Sequence, residues 1–207
     1  MRVVDVVQGF LGSGKTTLIN NLIQEVFTQE RILVIQTEWG EAELGDYGNR
    51  VAIRDWEKSF NLLEVRKLIH MPGVDRIIIE LNGMAPASEL LHALDIMDTR
   101  GEIKLGNCMS VFHGPTWEVM GKPLEEIFSL MVLTSQGFWI REGSKALQQW
   151  IQKTQPKGCL TTGNDWVLWY KQINQAGKYN IVKKLVKRCS VVPGLYRLYW
   201  LILKKLK

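Results

Sequence analysis

Between a β-branched run, V-V-D-V-V-Q (3–8), and a helical pattern starting at T-T-L-I-N-N-L-I, the chain carries G-F-L-G-S-G-K-T-T, Gly9 to Thr17. Gly9, Gly14, Lys15 and Thr16 have the spacing G-x-x-x-x-G-K-S/T, with a further Gly12 inside. Glycines in such a turn let successive backbone N–H groups face inward around phosphate oxygens. The helix that follows points its positive dipole end at the anion. Gly9, Gly12, Ser13, Gly14, Lys15, Thr16 and Thr17 are therefore the candidate phosphate-binding residues. Lys15 would reach the β- and γ-phosphates, and Thr16 would offer its hydroxyl to Mg²⁺. An ordinary glycine-rich turn is the alternative, but here strand and helix fall where the motif needs them.

The rest of the chain alternates in the same way. A second strand is expected at Arg31–Thr37, a third in V-D-R-I-I-I-E-L-N-G ending near Gly83, and a fourth in C-M-S-V-F-H. S-L-M-V-L-T, Ser129 to Thr134, reads as a fifth and G-C-L-T-T-G as a sixth. Helical patterns cover Leu62–His70, Ala87–Met97 and Ser144–Lys153. Such alternation predicts an α/β fold, a doubly wound, mostly parallel sheet of the P-loop NTPase type with both faces covered. The polar loops 9–16, 37–48, 80–86 and 134–137 all follow expected strands. They would gather at the carboxyl edge of the sheet, where ligands bind in folds of this type.

A P-loop needs an acidic partner for metal or water. Glu80 closes R-I-I-I-E, and Glu38 and Glu41 follow the second strand in T-E-W-G-E, as in a loop that responds to a γ-phosphate. Lys15, Glu41 and Glu80 are the candidate catalytic groups, and Thr16, Glu38 and Glu80 the candidate metal ligands. The sequence does not assign each acid its role.

Charge divides the chain. Residues 1–165 carry 16 Lys/Arg against 21 Asp/Glu, a balance of −5; residues 166–207 carry 10 Lys/Arg and no acid, a balance of +10, which together give the formal +5. Two units are expected: a nucleotide-binding domain over 1–165 and a basic amphipathic helical extension over 166–207. The extension has Trp and Tyr among its basic residues, so an anionic membrane surface or a protein partner suits it, as does packing on the sheet. The interleaving of aromatic and basic residues is the one feature that would suit nucleic acid, which is not expected as a partner because nothing else in the sequence supports it. W-V-L-W-Y, Trp166 to Tyr170, reads as core or as a contact in a homodimer. The N-terminus lacks the pattern of a secretory signal. Three widely spaced cysteines, Cys108, Cys159 and Cys189, offer no disulfide framework and no C-x-x-C pair. A cytoplasmic protein is expected, peripheral at a membrane if the extension docks there.

Three segments in order resemble the CobW-like P-loop GTPases, relatives of the GTPases that help load nickel into urease and hydrogenase. G-F-L-G-S-G-K-T-T-L-I-N resembles their phosphate loop. I-Q-T-E-W-G-E stands where they carry Asn-Glu-Phe-Gly-Glu, and I-I-I-E-L-N-G-M-A-P where they carry Glu-Thr-Thr-Gly-Leu-Ala with a proline nearby. The resemblance covers roughly residues 1–155. It implies Mg²⁺-dependent binding and slow hydrolysis of GTP, in a switch or assembly factor for a client protein in metallocofactor assembly or metal homeostasis.

Two departures qualify it. The family's Cys-x-Cys-Cys segment would fall within Ala42–Ile79, which contains no cysteine, so that thiolate site cannot form. The family's Asn/Thr-Lys-x-Asp base motif would follow the fifth strand, where this chain has T-S-Q-G, Thr134 to Gly137. Each charge-assisted contact from the missing carboxylate to guanine is worth about 1.5–3 kcal/mol. ATP thus stays open beside GTP, and a non-hydrolysing nucleotide-binding module stays open beside the NTPase. A small-molecule kinase is a weaker third reading, for want of a basic lid segment.

Overall fold

The computed structural model describes residues 1–37, 44–57, 60–81, 83 and 87–176. Within them seven strands form one all-parallel sheet. In chain order the elements are β1 (Val3–Gly9), α1 (Lys15–Asn21, continued by a π-helical turn, Leu22–Val26), β2 (Ile32–Gln36), β3 (Val51–Asp55), α2 (Leu62–Ile69), β4 (Arg76–Glu80), α3 (Ala87–Thr99), β5 (Lys104–His113), α4 (Gly114–Met120), α5 (Glu125–Thr134), β6 (Gly137–Arg141), α6 (Lys145–Thr154), β7 (Cys159–Thr161) and α7 (Trp166–Gln175). The strand order is β3-β2-β4-β1-β5-β6-β7. This is the doubly wound α/β architecture expected.

Strand residues alternate between two apolar layers. Val4, Val6, Leu33, Ile35, Ile77 and Ile79 face α2 and α3, and Phe112, Phe138 and Ile140 face α5 and α6. Val7, Val34, Ile78, Met109 and Val111 face α1 and α7. α7 inserts Trp166, Trp169, Tyr170 and Ile173 into that layer, so three residues of W-V-L-W-Y lie in the core while Val167 and Leu168 are exposed. Side-chain caps define several helix starts. Asn61 accepts from the N–H of Glu64 at 3.0 Å, Ser144 from Leu147 at 3.2 Å and Asp165 from Leu168 at 3.0 Å.

Two expected details differ. S-L-M-V-L-T is not a strand: it lies in α5, because Phe128, Met131 and Val132 bury one helical stripe. The strand that follows is β6, so T-S-Q-G precedes a strand instead of following one. Its hydroxyls are buried in a polar cluster. Gln8 Nε2 donates to Thr134 Oγ1 at 2.8 Å and Ser135 Oγ at 2.9 Å, and Ser110 Oγ meets Ser135 Oγ at 2.7 Å. Gln136 accepts from the N–H of Cys108 at 2.7 Å. T-S-Q-G is thus an interior joint between β1, β5 and α5, and cannot read a base.

At the amino edge of the sheet, Asp5 in β1 is fully buried. It accepts from Arg76 of β4, from the N–H of Asn107 at 2.6 Å, and from the Tyr170 hydroxyl at 3.1 Å. Arg76 also donates to Glu30 at 2.5 Å and lies 4.0 Å from the centre of the Phe27 ring. This cluster pins α7 and the start of β4 to the central strand.

Candidate functional site: a phosphate loop with a carboxylate at its flank

β1 lies between β4 and β5, so the loop after Gly9 emerges at the middle of the carboxyl edge. Its turn closes with the N–H of Ser13 donating to Phe10 O at 3.1 Å. Gly14 has φ +105°, a backbone state that side chains resist, and Gly12 has φ +70°. The Ser13 hydroxyl is buried and has no hydrogen-bond partner among the described residues. A buried hydroxyl left unmatched in this loop fits an anion that completes its hydrogen bonding.

Lys15 and Thr16 open α1, and both are buried. Lys15 Nζ donates to Gly9 O at 3.1 Å and Phe10 O at 3.4 Å, so the ammonium is folded over the loop. Thr17 is exposed on the first turn. Thr16 Oγ1 donates to Glu80 Oε1 at 2.8 Å, and Gln36 Nε2 donates to Glu80 Oε2 at 2.9 Å. Sheet register creates this triad: Glu80 is level with Val7 on one side and Gln36 on the other. Gly83 passes so near that a Cβ there would lie 2.7 Å from Gly9 O and from Phe10 Cα. A side chain would push the loop aside.

The structure thus brings Gly9, Gly12, Ser13, Gly14, Lys15, Thr16 and Glu80 together. Glu38 and Glu41 lie outside the described residues. Among the described residues no group of three or more His, Cys, Asp or Glu is arranged to hold a metal ion. The oxygen pair of Thr16 and Glu80 is instead the partial, hard-donor set that suits Mg²⁺, which keeps most of its waters and takes few protein ligands. Those residues fit the ion.

The opposite flank was not anticipated. β6 ends at Arg141, whose Nη1 donates to Ser13 O at 3.4 Å. Glu142 follows with φ +49°, and its carboxylate lies 3.5 Å from His113 Nε2. Glu142, Gly143 and Ser144 therefore occupy the loop after β6, with Ser144 engaged in capping α6. That loop carries no aspartate. A basic residue ending a strand beside the phosphate loop was the available signal for Arg141. Misplacing the strand hid it.

The model of the CobW/HypB/UreG nucleotide-binding domain matches residues 3–47, the span from β1 through the loop and α1 past β2. Among solved structures, Zn(II)-bound YjiA GTPase from E. coli matches with a TM-score of 0.58 at 18% identity, over 78% of this chain and 57% of YjiA. The chain thus spans less than two thirds of YjiA. Hydrogenase maturation factor HypB from Archaeoglobus fulgidus matches with a TM-score of 0.58 at 13% identity, over 84% of this chain and 89% of HypB. FtsY from Mycoplasma mycoides matches with 0.53 at 14%, over 85% and 67%. At these identities the structural likeness establishes a shared fold. No curated protein matches the sequence. A phosphate loop at the end of the central strand, the family match that spans it, and a sheet shared with YjiA and HypB show that the chain has a P-loop α/β fold whose residues 3–47 are similar to the CobW/HypB/UreG nucleotide-binding domain.

Proposed function

We propose that the chain binds a nucleoside triphosphate with Mg²⁺, hydrolyses it slowly, and acts as a nucleotide-dependent switch on a client protein. The observation that carries this reading is the buried Glu80 carboxylate held against the Thr16 hydroxyl beside the phosphate loop. Two unit negative charges 4 Å apart repel by about 4 kcal/mol at an effective dielectric of about 20. A carboxylate beside a phosphate site therefore calls for a cation between them. When bound, Mg²⁺ neutralises charge on the β- and γ-phosphate oxygens and helps order the attacking water. Thr16 and Glu80 would hold it, Gln36 would keep the Glu80 carboxylate oriented, and Lys15 with the loop amides would bind the phosphates. Glu38 and Glu41 enter on sequence alone, as acids of a segment that responds to the γ-phosphate.

GTP is the nucleotide the family suggests. Since no aspartate follows β6, GTP and ATP should differ in affinity by less than the full guanine preference of an intact motif. Calorimetric titration of wild type and Lys15→Ala with GTP, ATP and their diphosphates, with and without Mg²⁺, tests the reading. Wild type should bind a triphosphate more tightly with Mg²⁺ than without. Lys15→Ala should bind about tenfold to a hundredfold more weakly, as expected when one charge-assisted phosphate contact is lost. Equal binding by both proteins would sink the proposal, and binding without turnover would make the chain a nucleotide-binding module only.

The basic, acid-free segment 166–207 also supports a peripheral role at an anionic membrane, through its residues beyond α7. No helix among the described residues is long and apolar enough to cross a membrane. The full chain should co-sediment with vesicles containing about 30% phosphatidylserine, and raising the salt should release it. Retention at high salt, or equal binding to neutral vesicles, would refute an electrostatic contact.

A further inference from the structure

We infer that Arg141 is a phosphate-binding residue of this site: it supplies a second fixed cation, from the flank of the loop opposite Glu80. The inference rests on the nucleotide reading above.

Sheet register sets the position. Gly9 is level with Val111, and Val111 with Trp139. Arg141 thus stands two residues beyond the level where the loop leaves β1, about 7 Å further at the rise of a strand. From there the guanidinium turns inward instead of out to solvent. Its Nη1 donates to Ser13 O at 3.4 Å, and Cδ and Nη1 would lie 2.7 and 2.8 Å from a Cβ on Gly14. The last glycine of the loop therefore meets two demands at once, a left-handed backbone and close passage of an arginine.

The charge of Arg141 has no acidic partner among the described residues. The acid next to it in sequence turns elsewhere, since the Glu142 carboxylate faces His113. A half-buried guanidinium packed on the phosphate loop, next to the unpartnered Ser13 hydroxyl, suits an anion. Glu80 lies on β4, to one side of β1, and Arg141 on β6, to the other side beyond β5. The two approach the loop from opposite flanks. With the metal side at Glu80, Arg141 serves the phosphates nearer the nucleoside. A guanidinium bonds phosphate oxygens whatever the base, so its contribution falls on GTP and ATP alike.

Calorimetry on Arg141→Ala and Arg141→Lys, beside wild type and Lys15→Ala, tests this, with melting curves taken without nucleotide to establish folding. Arg141→Ala should lose about tenfold to a hundredfold in affinity for both GTP and ATP, the worth of one charge-assisted contact. Arg141→Lys should recover part of the loss, and the affinity of Arg141→Ala should depend less on salt than that of wild type. Unchanged affinity in Arg141→Ala, or a loss confined to one base, overturns the inference. In either case binding that still collapses in Lys15→Ala leaves the nucleotide reading standing. A wild type that binds neither nucleotide removes both.

Discussion

Replacing Arg76 by methionine is expected to destabilise the fold by about 3–5 kcal/mol, because it strands the Asp5 carboxylate at the centre of the sheet. Asp5 is wholly buried and Arg76 nearly so. Methionine fills much of the arginine stem and keeps its contact with Phe27, which isolates the electrostatic part of the loss. At roughly 2–4 °C per kcal/mol for a domain of this size, the midpoint of thermal unfolding should fall by about 6–20 °C. The pH dependence gives a further check. Burial pushes the Asp5 carboxyl above its usual range, opposed by Arg76, the Asn107 N–H and Tyr170. Removing Arg76 removes the main opposition, so the folded protein should hold the Asp5 proton still more tightly than the unfolded chain does. An acid with a raised folded pKa gains stability as pH falls through that pKa. The deficit of the variant should therefore shrink as pH is lowered from 8 towards 5. Asp5→Asn in the Arg76→Met background should recover part of the loss at pH 8. A deficit that is independent of pH and unrelieved by Asp5→Asn would mean that packing, not charge, is what Arg76 contributes.

The parts legible in the sequence were those where local pattern and tertiary environment agree. β1 and β4 are buried on both faces, so continuous apolar runs marked them, and the phosphate loop's chemistry is contained in adjacent residues. Two strands were hidden for opposite reasons. β3, V-A-I-R-D, is an edge strand whose side chains are mostly exposed, so it lacks the apolar run of a buried strand. β6, G-F-W-I-R, was passed over because the longer apolar run before it looked more like a strand, although Phe128, Met131 and Val132 fit a helical stripe just as well. A short apolar run does not by itself distinguish helix from strand. That error displaced the base loop by one element and concealed Arg141. Gln36 was invisible for another reason. Its role depends on the register that sets it level with Glu80, and a sequence does not display the pairing of strands 44 residues apart.

That pairing makes Glu80→Gln the sharpest probe of the chemistry. The substitution preserves volume and keeps an oxygen for the Thr16 hydroxyl, so the fold and the phosphate loop should persist. It removes the negative charge and sets an amide where Gln36 now donates. If Glu80 holds the metal or orients the attacking water, hydrolysis in Mg²⁺ should fall by about 10²–10⁴-fold, the range for a positioned acid–base or metal-orienting group. Nucleotide affinity should stay within about tenfold, since Lys15 and the loop amides are untouched. The two roles separate on the Mg²⁺ dependence of single-turnover hydrolysis. Loss of a metal ligand raises the Mg²⁺ concentration needed for half-maximal rate, and excess Mg²⁺ restores part of the activity. Loss of a water-positioning group lowers the rate at every Mg²⁺ concentration. Gln36→Ala, which leaves the carboxylate in place but unheld, should reproduce the same kind of defect at about tenfold to a hundredfold, as outer partners of metal ligands do. Wild-type turnover by Glu80→Gln would mean that the carboxylate beside Thr16 serves only the loop's structure, and that another acid, Glu38 or Glu41, carries the reaction.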